Sequence, residues 1–217
     1  MALIIKICGL TSAEALEVTI GEGADMAGFV FFPPSPRHLD VAAARRLAAQ
    51  AGTRIAKVAL SVDADDVFLA ASIAALKPDL LQLHGKETPA RVAAVKARFG
   101  LPVMKAIPVS EAADLSVVPA YAGIADRLIF DARAPRGATR PGGLGTPFDW
   151  RLLENLDPGI PFMLSGGLDP DNVAQALAIT RAPGVDVSSG VERAPGEKDP
   201  DKITAFVRAA RAAEING

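Results

Sequence analysis

Cys8, Asp131 and Arg37 stand where their side-chain chemistry would matter. Cys8 is the chain's one cysteine and closes the apolar run Leu3–Cys8, directly before Gly9 and the capping candidates Thr11 and Ser12. Lys6 lies two residues behind it. A nearby cation and a helix N-terminus favour thiolate, which would make Cys8 a base or a nucleophile. The plainer alternative is an inert core thiol, the commoner fate of a buried cysteine. Asp131 ends the run Leu128-Ile129-Phe130-Asp131. A carboxylic acid beside an anionic ligand can stay protonated long enough to donate. Otherwise Asp131 is a helix cap or an ion-pair partner for Arg133 or Arg136. Arg37 follows Pro33-Pro34-Ser35-Pro36, a stiff segment that would hold a guanidinium over a site; the alternative is a surface charge.

Three glycine clusters follow late strand candidates: Gly142-Gly143-Leu144-Gly145, Ser165-Gly166-Gly167 and Ser188-Ser189-Gly190. Glycines at a turn between strand and helix let backbone N–H groups approach an anion, and a helix N-terminus adds the positive end of its dipole. Phosphate is the natural guest, although tight turns alone also select glycine. Ser189-Gly190-Val191-Glu192 has the form of a short extra helix after the last strand. The only histidines, His38 and His84, lie on different loops without paired spacing, so no metal is expected. A single glycine follows the first strand, so the dinucleotide fingerprint is absent. Lys57 and Lys105 lie in strand candidates and keep open a lysine-dependent aldolase, while a non-catalytic phosphosugar-binding barrel is a further alternative.

The elements that must position these residues alternate along the whole chain. Strands are expected at Leu3–Cys8, Met26–Phe31, Arg54–Ser61, Asp79–Leu83, Pro102–Ile107, Arg127–Asp131, Ile160–Leu164 and Val185–Val187. Helices are expected near Ser12–Gly21, Val41–Ala51, Ala64–Leu76, Thr88–Arg98, Glu111–Ala120, Trp150–Asn155, Asp171–Ile179 and Asp199–Ala213. Eight such units in 217 residues allow about 27 residues each, the length of one strand, one helix and two loops. The expectation is an α/β chain forming a single (β/α)8 barrel domain over residues 1–217, with an open doubly wound sheet as the alternative. In such a barrel the chemistry sits at the C-terminal strand ends, and the phosphate site after strands six to eight. Period-2 alternation turns Leu3, Ile5 and Ile7 toward the helices and Ile4, Lys6 and Cys8 inward. It likewise turns Gln82 and His84 inward and Leu81 and Leu83 outward.

Composition narrows the functional classes. Half the residues are hydrophobic and 22% are charged, which excludes bulk disorder. A net charge of −2 offers no broad basic field for nucleic acid. A lone cysteine excludes intrachain disulfides, and the N-terminal apolar run is too short for a signal or a span, so the expected setting is the cytoplasm, away from membranes. A closed barrel has no unpaired edge that demands a partner, so a monomer is expected.

Six ordered blocks carry a resemblance: Lys6-Ile7-Cys8-Gly9; Phe32-Pro33-Pro34-Ser35-Pro36-Arg37; Gln82-Leu83-His84-Gly85; Gly142-Gly143-Leu144-Gly145 with Phe148-Asp149-Trp150; Ser165-Gly166-Gly167-Leu168 with Pro170, Asn172 and Val173; and Val185 through Glu192. Together they resemble the phosphoribosylanthranilate isomerase family. The resemblance implies an Amadori rearrangement in tryptophan biosynthesis, without cofactor, on a small-molecule phosphosugar substrate. It implies Asp131 as the acid, Cys8 as the base and Arg37 as the partner of the anthranilate carboxylate. It assigns the phosphate to the backbone of Gly143, Gly145, Gly166, Gly167, Ser189 and Gly190. Leu144 departs from the small hydroxyl residue the family more often has between these glycines.

Overall fold

The computed structural model describes residues 2–134, 137–138, 141–143, 145 and 147–215. Eight parallel strands close in sequence order: β1 (Ile4–Cys8), β2 (Met26–Phe31), β3 (Ala56–Ser61), β4 (Leu80–Leu83), β5 (Val103–Val109), β6 (Arg127–Ala132), β7 (Phe162–Leu164) and β8 (Gly184–Val187). β8 returns to β1, in register from Ile4 opposite Gly184 to Ile7 opposite Val187. The chain is therefore a closed (β/α)8 barrel and not an open sheet.

The outer helices are α1 (Ala13–Gly21), α2 (Val41–Ala51), α3 (Asp66–Leu76), α4 (Pro89–Phe99), α5 (Val118–Ala122), α6 (Val173–Thr180) and α7 (Pro200–Ile215). Several of their starts are set by side-chain oxygens that accept the first free N–H groups. Ser12 accepts from Ala15, Asp40 from Ala43 and Thr88 from Arg91, the last with Pro89 in the opening turn. Two expected helices are cut short. The segment Glu111–Ala120 becomes a 3-10 stretch, Ala112–Val117, followed by α5. Asp114 there takes the N–H groups of Ser110 and Glu111, and Pro119 contributes no donor to an α ladder. Trp150–Asn155 is a single 3-10 turn, Trp150–Leu153. An unexpected hairpin, β9 (Glu192–Ala194) and β10 (Glu197–Lys198), follows β8 and turns at Pro195-Gly196, a breaker pair of the kind that marks turns.

The inward and outward sets fall as alternation requires. Leu3, Ile5, Ile7, Leu81 and Leu83 join the apolar layer between strands and helices. Val58, Leu80, Met104, Ala106, Ile129 and Met163 form a separate inner cluster, with Ile4 and Met26 against it. Further along the strands, toward their C-terminal ends, the interior turns polar: Lys6, Gln82, Asp131, Ser165 and Asp186 are all buried. The apolar inner cluster packs the barrel interior, and the polar layer lies above it. Among the described residues, no helix is long and apolar enough to cross a membrane.

Candidate active site

A cavity that opens to solvent lies at the C-terminal ends of the strands. Cys8, Arg37, Asp131, Gly143, Gly166, Gly167 and Ser189 all line it. Gly145 lines an adjoining pocket that shares Asp131, Gly143 and the Gly166-Gly167 pair. Gly190 stands behind this lining, where a side chain would collide with the carbonyl oxygen of Leu168. Leu144, Arg136 and Thr146 fall outside the described residues.

On one flank Cys8 ends β1 beside Val30 and Leu60. Gly28 of β2 makes room for it, since a Cβ there would lie 2.9 Å from Sγ and 3.1 Å from Lys6 Cε. Lys6 Nζ donates to Asp186 Oδ1 at 2.6 Å, and Ser165 Oγ donates to Asp186 Oδ2 at 2.9 Å. Arg37 is 4% exposed, not a surface charge. Its Nε and Nη2 donate to the two oxygens of Glu192 at 2.7 and 2.8 Å, and Nη2 also reaches Gly143 O at 3.3 Å. Glu192 in turn accepts from Lys198 Nζ at 2.8 Å. The proline-rich loop and the β9–β10 hairpin are fitted together at Gly196, whose missing side chain leaves space for Pro36.

On the other flank Asp131 ends β6. Its Oδ2 lies 3.0 Å from His84 Nε2, and its Oδ1 accepts from the Ala132 N–H at 3.0 Å. The far ring nitrogen of His84, Nδ1, lies 2.9 Å from Gln82 Nε2. Arg133, one expected alternative partner, pairs instead with Asp114. The loop after β4 is fastened from below by Lys105, which donates to Leu83 O, Gly85 O and Glu87 Oε2 at 3.2, 2.7 and 2.8 Å. Lys57 donates to Gly52 O at 2.9 Å and pairs with Asp79. Neither lysine lines the main cavity, which removes the support for an aldolase.

The defining sequence pattern of N-(5'-phosphoribosyl)anthranilate isomerase matches residues 5–209. The isomerase of Nitrobacter hamburgensis is 66% identical over 216 residues, covering 100% of this chain and 96% of its own. That of Bradyrhizobium diazoefficiens is 64% identical, covering 99% and 96%. Among solved structures, the Thermotoga maritima enzyme superposes with a TM-score of 0.87 at 33% identity, covering 97% of this chain and 99% of that one. The chain belongs to the phosphoribosylanthranilate isomerase family. A family structure in complex with reduced 1-(O-carboxyphenylamino)-1-deoxyribulose 5-phosphate superposes with a TM-score of 0.84 at 31% identity, covering 97% and 99%.

For a chain of this isomerase family the electrostatics of the thiol are unexpected. Burial pushes the Cys8 thiol above its ordinary range; Lys6 and Lys198 oppose this, but Asp186 reinforces it. Lys6 favours the thiolate as its place on the strand suggests, but Asp186 pairs with that charge and burial outweighs it. Lys6 itself is pulled down by burial, yet its partners Asp186 and Cys8 outweigh that and raise it. Burial lowers Lys198 to about 8 against the pull of Glu192. Glu192 is raised by burial but held low overall by Arg37 and Lys198. Sequence reasoning missed the partnerships of His84, Asp186 and Lys198. Alternation in Val185-Asp186-Val187 could have turned Asp186 inward, whereas nothing near Lys198 announces its role.

Proposed function

We propose that the chain converts N-(5-phosphoribosyl)anthranilate to 1-(2-carboxyphenylamino)-1-deoxyribulose 5-phosphate, with Asp131 as the acid and Cys8 as the base, without a cofactor. The reaction is an aldose–ketose isomerisation in tryptophan biosynthesis. The observation that carries the assignment is one cavity lined by a buried carboxyl group and a buried thiol from non-adjacent strands. Asp131 protonates the furanose oxygen, the C1–O bond breaks and the substrate's nitrogen forms C1=N. The iminium makes the C2 proton acidic, and the Cys8 thiolate removes it to give an enolamine. The enolamine then tautomerises to the ketone. Because the substrate supplies its own nitrogen, the electron sink needs neither a catalytic lysine nor pyridoxal.

Arg37 meets the anthranilate carboxylate. Its Nε–Nη2 edge is held by Glu192, so the Nη1 side is the one offered to substrate. The phosphate is held by the backbone of Gly143, Gly145, Gly166, Gly167, Ser189 and Gly190. Asn172 supports this loop system, donating to Gly167 O at 2.9 Å. Glycine is needed at Gly166 and Gly167, where φ is +86° and +70°. The working form is one catalytic domain, a cytoplasmic monomer without nucleic-acid or membrane partners; light scattering after size exclusion should then return 22.5 kDa.

The test is to generate substrate in situ and follow the loss of its anthranilate-type fluorescence. Cys8→Ser and Asp131→Asn should each lower kcat by about 10²–10⁴-fold while the reduced product analogue still binds. Wild-type turnover in either variant removes that residue from its role. Arg37→Lys should chiefly raise KM, because a point charge replaces a planar fork; unchanged constants would remove Arg37 from substrate binding.

A further inference from the structure

We propose that His84 is a positioning residue that shares the ring-opening proton with Asp131, and that Gln82 is the amide that turns end for end as their charge changes. The proposal rests on Asp131 being the acid. Both ring nitrogens of His84 are engaged, Nε2 with Asp131 and Nδ1 with Gln82. When the pair lacks the transferable proton, Nε2–H donates to the carboxylate and Nδ1 accepts from the Gln82 amide N–H. When the pair holds that proton, it is either imidazolium beside carboxylate or neutral imidazole beside carboxylic acid. In both of these forms Nδ1 carries hydrogen and requires an acceptor. The Gln82 amide can meet either demand by rotating half a turn.

The structure contains the second partner already. Gln82 is fully buried, and among the described residues its Oε1 accepts no hydrogen bond. A buried carbonyl oxygen without a donor is costly, and this one belongs to the amide end that the proton-loaded state uses. Gly142 closes over the pair from the loop after β6. A Cβ there would lie 2.9 Å from His84 Nε2 and collide with Asp131 Oδ2, so only glycine leaves the hydrogen bond intact.

Among the described residues, His84 is the side chain hydrogen-bonded to Asp131, and most of the charged groups around the pair are engaged elsewhere. Lys105 is bound to Glu87 beneath β4, Arg133 to Asp114 beyond β6, and Lys6 to Asp186 across the barrel. Arg37 is bound to Glu192, and Asp63 accepts the Lys86 N–H on the β3 side. Cys8 lies on the opposite flank. The proton balance is closed. The pair gives its proton to the ring oxygen as the C1–O electron pair moves there. It regains one from the C2 hydroxyl as the enolamine becomes ketone, while Cys8 returns its proton to C1.

The experiment uses the intact chain with 15N-labelled histidine. Its two histidines are separated by His38→Gln, which identifies the His84 signals. Ring 15N shifts are followed against pH in the parent and in Asp131→Asn, and kcat and KM are measured for Asp131→Asn and His84→Gln. Shared titration moves the His84 midpoint by about one pH unit or more on Asp131→Asn, with Nδ1 changing from lone pair to N–H across it. A glutamine at 84 can donate to Asp131 but carries no proton, so kcat should fall about 10²-fold with KM little changed. An unmoved His84 midpoint, or a parental kcat in folded His84→Gln, overturns the proposal. If His84→Gln fails to fold, the titrations alone decide. Retained turnover in Asp131→Asn would instead overturn the acid assignment itself, a separate outcome.

Discussion

The two flanks of the active site hold their functional groups by different means. Around Cys8 the interior is dense with full charges, in the pairs Lys6–Asp186, Arg37–Glu192 and Lys198–Glu192, all but closed to solvent. Around Asp131 the contacts among the described residues are a histidine and a backbone N–H. The difference suits the tasks proposed for the two groups. A rigid, charge-balanced shell fixes geometry but lets the thiol settle above its ordinary range. Among the described residues no cation is hydrogen-bonded to Asp131, which meets a histidine ring and a backbone N–H instead.

Removing the central anion of the charged flank is the largest way to break this contrast. Glu192→Ala leaves Arg37 and Lys198 buried beside each other, and losing one partner of a buried ion pair costs about 3–5 kcal/mol. For a chain of this size that is a fall in Tm of about 10 °C, read by thermal denaturation. On the acid flank, Gly142→Ala should act on rate and not on fold. The Cβ intrudes on the His84–Asp131 contact, and displacing a reacting group by about 1 Å costs about 10²-fold, so kcat should fall by that factor while Tm holds.

A smaller effect sharpens the comparison by pH. In the proposed mechanism Cys8 must be deprotonated to act, and burial raises its thiol above the ordinary range. The thiolate ultraviolet absorbance of the parent minus that of Cys8→Ser should therefore grow in at a higher pH than that of a free cysteine. The least effect belongs far from either flank. Arg54 holds the Glu17 carboxyl down at about 2, but both side chains are nearly half exposed, so Glu17→Gln should leave Tm within error of the parent.

How legible these flanks were in the sequence depends on the range of the interaction. Period-2 alternation turned Cys8, Lys6, Gln82 and His84 inward, and capping at Ser12, Asp40 and Thr88 set helix starts, because both are decided within a few residues. The glycine clusters were visible for the same reason. The site clusters that alternation could not supply join distant segments. His84 and Asp131 lie 47 residues apart, and Arg37 and Glu192 lie 155 apart. No local pattern encodes such a meeting. The balance of charge at Cys8 was hidden for a related cause: Lys6 is close along the strand, but the charge that pairs with it comes from Asp186, 180 residues away.

A cut in the loop after α4 would divide the barrel into two four-stranded halves. Lys6–Asp186, Arg37–Glu192, His84–Asp131 and Glu87–Lys105 would then each have one member on either piece. Neither fragment could bury its own ionisable groups without leaving charges unmatched, so each on its own would be poorly soluble or loosely folded. Mixed together, the fragments would recognise each other through those same groups, and the only docking that satisfies all four is the one that rebuilds the cavity.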